Sequence, residues 1–180
     1  MQKVSFHSLV LLHLLVYGLA LFIIAPGAGW PAIALCAPLI WGSVIDIIRY
    51  EIPDEVSALL VLGGSIWIFT IPSLNAYEHI LGALIWPVLF YAVRIGHFLF
   101  RKAHGLGLGD VKLIAGIGLW CGLLDTITVV LGAALAGILV LLLPRIMPGK
   151  RHAPPNQLMV AFGPYLCLSA WCVWLSKVGI

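Results

Sequence analysis

Long apolar runs, separated by short polar or proline- and glycine-rich breaks, make up most of this chain. They predict helices at residues 6–25, 30–48, 56–71, 78–100, 110–124, 126–144 and 157–178. A helix needs about 20 apolar residues to cross the hydrocarbon core of a bilayer. The third and fifth runs are shorter, so one of them is a candidate for a partly re-entrant segment. The pattern predicts an all-α, polytopic membrane helix bundle with about six to seven transmembrane segments.

The breaks between these runs contain residues that resist helix continuation. They are Pro-Gly-Ala-Gly at 26–29, Ile-Pro-Asp at 52–54, Pro-Ser-Leu-Asn at 72–75 and Pro-Pro-Asn at 154–156. Inside the runs, Pro87 is expected to kink the fourth helix, and Gly163-Pro164 to open the backbone of the last one. Glycines four residues apart, such as Gly118 and Gly122, are expected to let helices approach closely.

The composition supports a membrane protein. Hydrophobic residues make up 62% of the 180 residues and charged residues 9%. So few charges would not cover the surface of a soluble domain of this size, so lipid is the expected solvent. We expect one integral membrane domain, 1–180. The first run is too long for the apolar region of a signal peptide, usually about 7–15 residues, and is expected to be a span.

The basic residues predict the orientation of the bundle. With the amino terminus inside, the interior segments carry Lys3, Arg49, Arg101, Lys102, Arg145, Lys150 and Arg151. The exterior loops contain no Lys or Arg, and only Lys177 near the carboxyl end lies outside. This follows the positive-inside rule. It places two acids at the ends of apolar runs, Asp46 and Asp110, near the same cytoplasmic face.

These two acids are the strongest chemical signal in the sequence. The run Gly105-Leu-Gly107-Leu-Gly109 delivers Asp110 to the start of an apolar segment, and Asp46 closes another. An unpaired charge in an apolar segment costs several kcal/mol, so we expect the two acids to have a functional role. Two adjacent carboxylates that share a proton can activate water and protonate a leaving group, which suggests a pair of catalytic aspartates at a membrane surface.

The sequence shows no signature of a metal, a cofactor or nucleic acid. The four cysteines, Cys36, Cys121, Cys167 and Cys172, lie in apolar runs without a Cys-x-x-Cys spacing. The six histidines are dispersed. We therefore expect buried thiols, no metal site and no cofactor. The net charge of +3 reflects topology, since no nucleic-acid motif accompanies it.

Three stretches together resemble the type IV prepilin peptidases, which are Gly-x-Gly-Asp membrane aspartyl proteases. These are Asp46-Ile-Ile-Arg-Tyr-Glu-Ile-Pro-Asp54, Gly107-Leu-Gly-Asp-Val-Lys-Leu113 and Ala161-Phe-Gly-Pro-Tyr-Leu166. Their order and spacing match the family over roughly residues 40–170. A lone Gly-x-Gly-Asp motif would be weak evidence, but the three elements in a multispanning chain are specific.

The resemblance implies an endopeptidase that removes a short basic leader from prepilin or pseudopilin precursors at the cytoplasmic side of the inner membrane. Asp46 and Asp110 would be the catalytic pair, and residues 30–178 the peptidase core, with 1–29 an extra span and loop. The matching motifs name supporting residues: Gly107, Gly109, Lys112, Phe162, Gly163 and Pro164. Longer family members carry a Cys-x-x-Cys insert associated with methylation. No loop here is long enough for it, so we expect proteolysis without that zinc-bearing domain.

A small acidic cluster, Glu51, Asp54 and Glu55, follows Asp46. It would attract a basic leader, or it is simply a solvated turn. Asp54 is also a rival to Asp46 for the catalytic position.

Three alternatives stay open. Another Gly-x-Gly-Asp protease, of the presenilin or signal-peptide-peptidase kind, usually has Tyr-Asp and Pro-Ala-Leu elements, which this sequence lacks. A small transporter or channel would use the acids as an ion or proton site near the bilayer midplane. A purely structural role would pair the acids with Arg49 or Lys112.

Overall fold

The computed structural model describes residues 6–71, 75–101, 106–146 and 161–179. These parts of the chain contain helices and no strand, which confirms the all-α class. The helices are α1 (Phe6–Ile24), α2 (Gly29–Arg49), α3 (Asp54–Thr70), α4 (Ala76–Arg101), α5 (Leu108–Ile146) and α6 (Gly163–Val178).

Four of these helices, α1, α2, α4 and α5, are long and apolar enough to cross a membrane, judged by length and composition. The other two are shorter, with 17 residues in α3 and 16 in α6. The prediction of six to seven segments therefore exceeds these four. α1 is the most exposed helix of the bundle, and Tyr17 is its one buried residue.

α5 is broken at Gly122 into two legs, 108–121 and 123–146. Gly122 has φ 83° and ψ 175°, a conformation that glycine adopts readily because it lacks Cβ. The second leg runs antiparallel to α6, since Asp125 is ion-paired with Lys177 at 3.1 Å while a methyl group at Gly137 would touch the Tyr165 ring at 3.8 Å.

The first leg runs in the same direction as α6. The charge of Asp110, at its start, acts on Cys167, whereas Cys121, at its end, lies 3.9 Å from the carbonyl oxygen of Ala170. The chain therefore reverses direction near Gly122. Two segments were predicted here, with a break at residue 125, and the structure places the break three residues earlier.

Glycine pairs bring α4 and α5 into backbone contact. A Cβ added at Gly118 would lie 2.5 Å from the carbonyl oxygen of Gly82, and one at Gly82 would lie 2.6 Å from that of Gly118. Only glycine fits at these two positions. This confirms the close helix approach predicted from the glycine spacing around Gly118.

Aromatic rings in stacked and edge-to-face contacts fill the bundle between α1, α3, α5 and α6. Trp67 lies 5.8 Å from Trp120 and 5.7 Å from Trp174, measured between ring centroids. Trp171 lies 5.7 Å from both Trp174 and Tyr17, and its indole N–H donates to the Tyr17 carbonyl oxygen at 3.1 Å. These contacts attach α1 to the rest of the core.

One prediction about a proline differs from the structure. Gly163-Pro164 was expected to open the last helix, but α6 begins there, because proline is well tolerated in the first turn of a helix. α4 includes Pro87 as one helix, and the kink expected at this residue stays a prediction. The predicted breaks at 72–74 and 154–156, and residues 157–160 of the last segment, lie outside the described residues.

Candidate active site

The first candidate acid, Asp46, lies in the last turn of α2 and is 6% exposed. Its Oδ2 accepts a hydrogen bond of 2.9 Å from the backbone N–H of Gly163, the first residue of α6. The carboxylate thus lies at the unfavourable carboxyl end of one helix dipole and at the favourable amino end of another. After Asp46 the chain turns through Tyr50, which has φ 57° and donates its N–H to the Asp46 carbonyl oxygen at 2.9 Å.

The second candidate acid, Asp110, lies in the first turn of α5 and is 8% exposed. The backbone N–H of Gly107 donates to its carboxylate. A Cβ at Gly107 would lie 3.2 Å from Asp110 Oδ2, so glycine leaves room for the carboxyl group to fold back over the motif. Like Asp46, this acid accepts a backbone N–H beside the start of a helix, where the helix dipole favours an anion.

The two acids, 64 positions apart in the sequence, face the same cavity of about 290 Å³. Asp46 lies close enough for its charge to act on the Asp110 carboxyl group. The cavity is lined by Asp46, Tyr50, Glu51, Ile52, Asp54, Gly107, Leu108, Gly109, Asp110 and Lys112. It contains both carboxylates and most of the first two motif stretches.

Ile52 holds three chain segments together behind the acids. A Cβ at Gly109 would lie 2.9 Å from Ile52 Cβ, and one at Gly163 would lie 3.0 Å from Ile52 Cδ1. The isoleucine is 8% exposed, so it fills the space that these two glycines leave. Sequence reasoning missed it as a site residue, although the Ile-Pro element carried the signal.

Lys112 pairs with Asp54 rather than with either buried acid. Its Nζ lies 2.6 Å from Asp54 Oδ1, and both side chains are exposed. The structural alternative, in which Lys112 neutralises Asp110, is therefore not the arrangement found. This ion pair links the first turn of α3 to the first leg of α5 at the cavity rim.

The acidic cluster after Asp46 is divided by the structure. Glu51 and Asp54 line the cavity, whereas Glu55 is exposed and does not. Since Asp54 is neutralised by Lys112, Glu51 is the member whose charge faces the cavity without an ion-pair partner among the described residues.

The third motif stretch lies next to the first. Phe162 is half-buried and packs against the hydrophobic core, while Gly163 contacts Asp46 and Pro164 occupies the first turn of α6. A Cβ at Gly163 would lie 2.6 Å from Asp46 Oδ2, so glycine is required for the carboxylate to reach the helix start.

Arg94 of α4 supports the segment before the glycine motif. Its guanidinium donates to the carbonyl oxygen of Leu106, which directly precedes Gly107. The contact of this side chain is thus with the backbone beside the glycine motif.

No group of three or more His, Cys, Asp or Glu side chains that could hold a metal ion occurs within the described ranges. The four cysteines are free thiols spread over α2, α5 and α6. The site is therefore described by its two carboxylates and the backbone around them.

Comparisons with known proteins agree on one family. The sequence profile of the type IV leader peptidase family matches residues 33–142. Proteins named prepilin leader peptidase/N-methyltransferase are similar to this chain. The one from Xanthomonas campestris is 30% identical over 154 residues, 82% of this chain and 51% of the relative. The one from Burkholderia pseudomallei strain K96243 is 34% identical over 143 residues, 78% and 44% of the two chains.

The corresponding protein of Escherichia coli K12 is 27% identical over 139 residues, 74% of this chain and 60% of the relative. The chain thus spans about half the length of the first two of these relatives. No solved structure gives a significant match. The family match includes both Asp46 and Asp110 and covers more than half of this chain. The chain therefore belongs to the type IV leader peptidase family.

Proposed function

We propose that this protein is a membrane aspartyl endopeptidase that removes the leader from type IV prepilin-like precursors. The observation that carries the proposal is the position of Asp46 and Asp110: two buried carboxylates from distant parts of the chain face one cavity, close enough to interact. A cavity open to water at the helix ends gives a peptide bond and a water molecule access to both.

The chemistry follows from the pairing of the acids. Two carboxylates that share one proton hold one member as a base and the other as an acid. The ionised carboxylate takes a proton from water as the water oxygen attacks the carbonyl carbon. The protonated carboxyl group donates to the carbonyl oxygen. As the C–N bond breaks, the group that took the proton from water passes it to the leaving amine, and a hydroxyl of the intermediate returns its proton to the other carboxylate. Neither a covalent intermediate nor a cofactor is part of this scheme.

The backbone contacts of each acid support this role. Gly163 N–H donates to Asp46 at 2.9 Å, and Gly107 N–H donates to Asp110. These donors fix the carboxyl groups without neutralising them by an ion pair. General acids and bases work best when held within hydrogen-bond reach of the atoms they serve. Lys112, which pairs with Asp54, leaves the two carboxylates available.

Glu51 is proposed to receive the basic leader of the precursor. It lines the same cavity as the acids and has no ion-pair partner within the described ranges. A leader with Lys or Arg would be attracted to this carboxylate, while the apolar part of the precursor stays in the bilayer. Glu55, which lies outside the cavity, is given no part in this recognition.

The active site is proposed to face the cytoplasm of a bacterial inner membrane. Arg49 ends α2 three residues after Asp46, Lys112 lies two residues after Asp110, and Lys177 lies at the opposite end of α6. Membrane proteins carry an excess of Lys and Arg on the cytoplasmic side, which supports this orientation. The same geometry disfavours a transporter, since both acids lie within the last or first turn of a helix rather than at the midplane.

The test is cleavage of a co-expressed prepilin by the unmodified protein and by Asp46→Asn and Asp110→Asn variants. Each substitution should lower leader removal by at least about 10²-fold, since one of the two proton-transfer groups is lost. Asp54→Asn is the matched control and should keep most of the activity. If it abolished cleavage while Asp46→Asn did not, the assignment of the pair would be wrong.

A further inference from the structure

A second cavity, of about 350 Å³, lies at the other end of the bundle. We call it the distal cavity. It is formed where helices begin, end or break: Ile71 after α3, the first turn of α4, the start of the second leg of α5, and the last turn of α6. α6 starts beside Asp46 and reaches the distal cavity after 16 residues, a helix length of about 24 Å. The distal cavity is therefore separate from the catalytic one.

Tryptophan rings form the apolar wall of the distal cavity. Trp67, Trp120 and Trp174 line it, with ring centroids 5.7–5.9 Å apart. The Trp120 indole N–H donates to the carbonyl oxygen of Leu60 at 2.8 Å, but those of Trp67 and Trp174 are buried without an acceptor in the described parts of the chain. Faces of tryptophan rings attract cations through their quadrupole.

The charged side chains of the distal cavity leave one negative charge uncompensated. Asp125 and Lys177 form an ion pair of 3.1 Å. Among the described residues, the remaining carboxylate, Glu78, has only a long contact of 3.5 Å from the backbone N–H of Leu124. The cavity as a whole therefore favours a cationic ligand over an anionic one.

His79 adds a hydrogen-bond acceptor beside this carboxylate. Its side chain is 8% exposed, and its Nδ1 lies 2.8 Å from the Leu119 carbonyl oxygen. A carbonyl oxygen only accepts, so Nδ1 carries a proton, and in the neutral form of the ring Nε2 is then an acceptor. The described residues supply no donor for Nε2. A ligand with N–H donors would thus meet two acceptors, Glu78 and His79, beside the tryptophan wall.

We propose that the distal cavity binds a primary ammonium group of the ethanolamine type. Such a group has a positive charge for Glu78, several N–H donors for Glu78 and His79 Nε2, and a size that fits a small cavity beside the tryptophan wall. A cavity of 350 Å³ lies within the range of about 300–1,000 Å³ that small-molecule sites occupy. The ammonium is carried by a phosphatidylethanolamine headgroup or by a free amine. Lys177, exposed at the rim, would add a contact to the phosphate in the first case.

The experiment measures binding to the purified full chain in detergent by titration calorimetry. The probes are dihexanoyl-phosphatidylethanolamine, dihexanoyl-phosphatidylcholine and ethanolamine. The choline lipid has the same charge and phosphate but no N–H donor, so we expect its binding to be about tenfold weaker than that of the ethanolamine lipid. Tighter binding of the lipid than of free ethanolamine identifies the headgroup as the source, and equal binding identifies the ammonium alone.

Variants locate the site. Glu78→Gln keeps the shape and an acceptor oxygen and should weaken ethanolamine-lipid binding about tenfold, as expected for loss of one charge-assisted hydrogen bond. Glu55→Gln, which changes an exposed carboxylate at the opposite end of the bundle, is the matched control and should leave binding unchanged. Three results would each overturn the proposal. They are equal binding of the choline and ethanolamine lipids, no saturable binding of the ethanolamine lipid or of free ethanolamine, and unchanged binding of the ethanolamine lipid by Glu78→Gln.

Discussion

The Gly163→Ala substitution tests how the first candidate acid is held in place. The added methyl group would lie 2.6 Å from Asp46 Oδ2 and 3.0 Å from Ile52 Cδ1. Both distances are shorter than a carbon atom tolerates, so the neighbours must move. The carboxylate is the end of a short side chain and can rotate away, whereas the helix start cannot. The expected result is a displaced Asp46 that loses its 2.9 Å hydrogen bond.

The expected loss of kcat/KM follows from the displacement of Asp46 and from the loss of its hydrogen bond. A displacement of about 1 Å of a catalytic group can cost about 10²-fold in rate. A hydrogen bond to a charged group contributes about 1.5–3 kcal/mol, or roughly 10- to 150-fold. We therefore expect kcat/KM for leader removal to fall about 30- to 100-fold. Folding should suffer less, because alanine has the better helix propensity and the contact is relieved by moving one side chain.

The assay is cleavage of a purified prepilin by the purified variant, with thermal unfolding measured in parallel. Gly96→Ala is the matched control, since a Cβ at Gly96 in α4 would meet nothing within 4 Å. It should keep full activity. A folded Gly163→Ala protein with unchanged kcat/KM would refute the argument that the start of α6 positions Asp46.

Three further predictions concern the surroundings of the site. Lys112→Met removes an exposed ion pair, so the free energy of unfolding should change by less than about 1 kcal/mol in chemical denaturation. His13→Ala removes the 2.8 Å partner of the buried Ser43 hydroxyl, and this should cost about 1–3 kcal/mol, seen as a lower Tm. Glu51→Gln should raise the KM for a precursor with a basic leader, and more strongly at low salt.

Each of these has an outcome that contradicts it. A loss of several kcal/mol in Lys112→Met would show that the ion pair has a structural role that exposed pairs rarely have. Adding Ser43→Ala to His13→Ala removes the unpaired hydroxyl and should recover part of the lost stability; no recovery would argue against the hydrogen bond as the cause. Glu55→Gln should leave KM unchanged, and an equal effect of Glu51→Gln and Glu55→Gln would point to a diffuse acidic surface.

The helices were predictable from the sequence because their signals are local. Apolar runs bounded by Pro26-Gly27 and by Ile52-Pro53 end where hydrogen bonding or backbone conformation must change, and the structure has α1 ending at Ile24 and α3 beginning at Asp54. The break in α5 was misplaced by three residues. Asp125 is a conspicuous charge in an apolar run, but the reversal occurs at Gly122, because a positive φ costs little without Cβ.

Other features of the site depend on contacts between distant segments. The bond from Gly163 to Asp46 joins residues 117 positions apart, and the contact between Lys112 and Asp54 joins residues 58 apart. From the sequence, Lys112 could equally have paired with a buried acid. The Ile-Pro element drew attention to Ile52, but its packing against Gly109 and Gly163 could not be read from the sequence, because these glycines lie in α5 and α6.

By itself, the amino-acid sequence determined that this is a helical membrane protein with two acids at the ends of apolar segments, because the hydropathy pattern and the motif stretches depend only on the order of the residues. The tertiary structure alone decided that Asp46 and Asp110 share one cavity, that the start of α6 donates to the first acid, and that a separate tryptophan-lined cavity lies at the opposite end. The physical reason is packing: which helix faces meet depends on the fit of glycines, isoleucine and tryptophans from all parts of the chain at once.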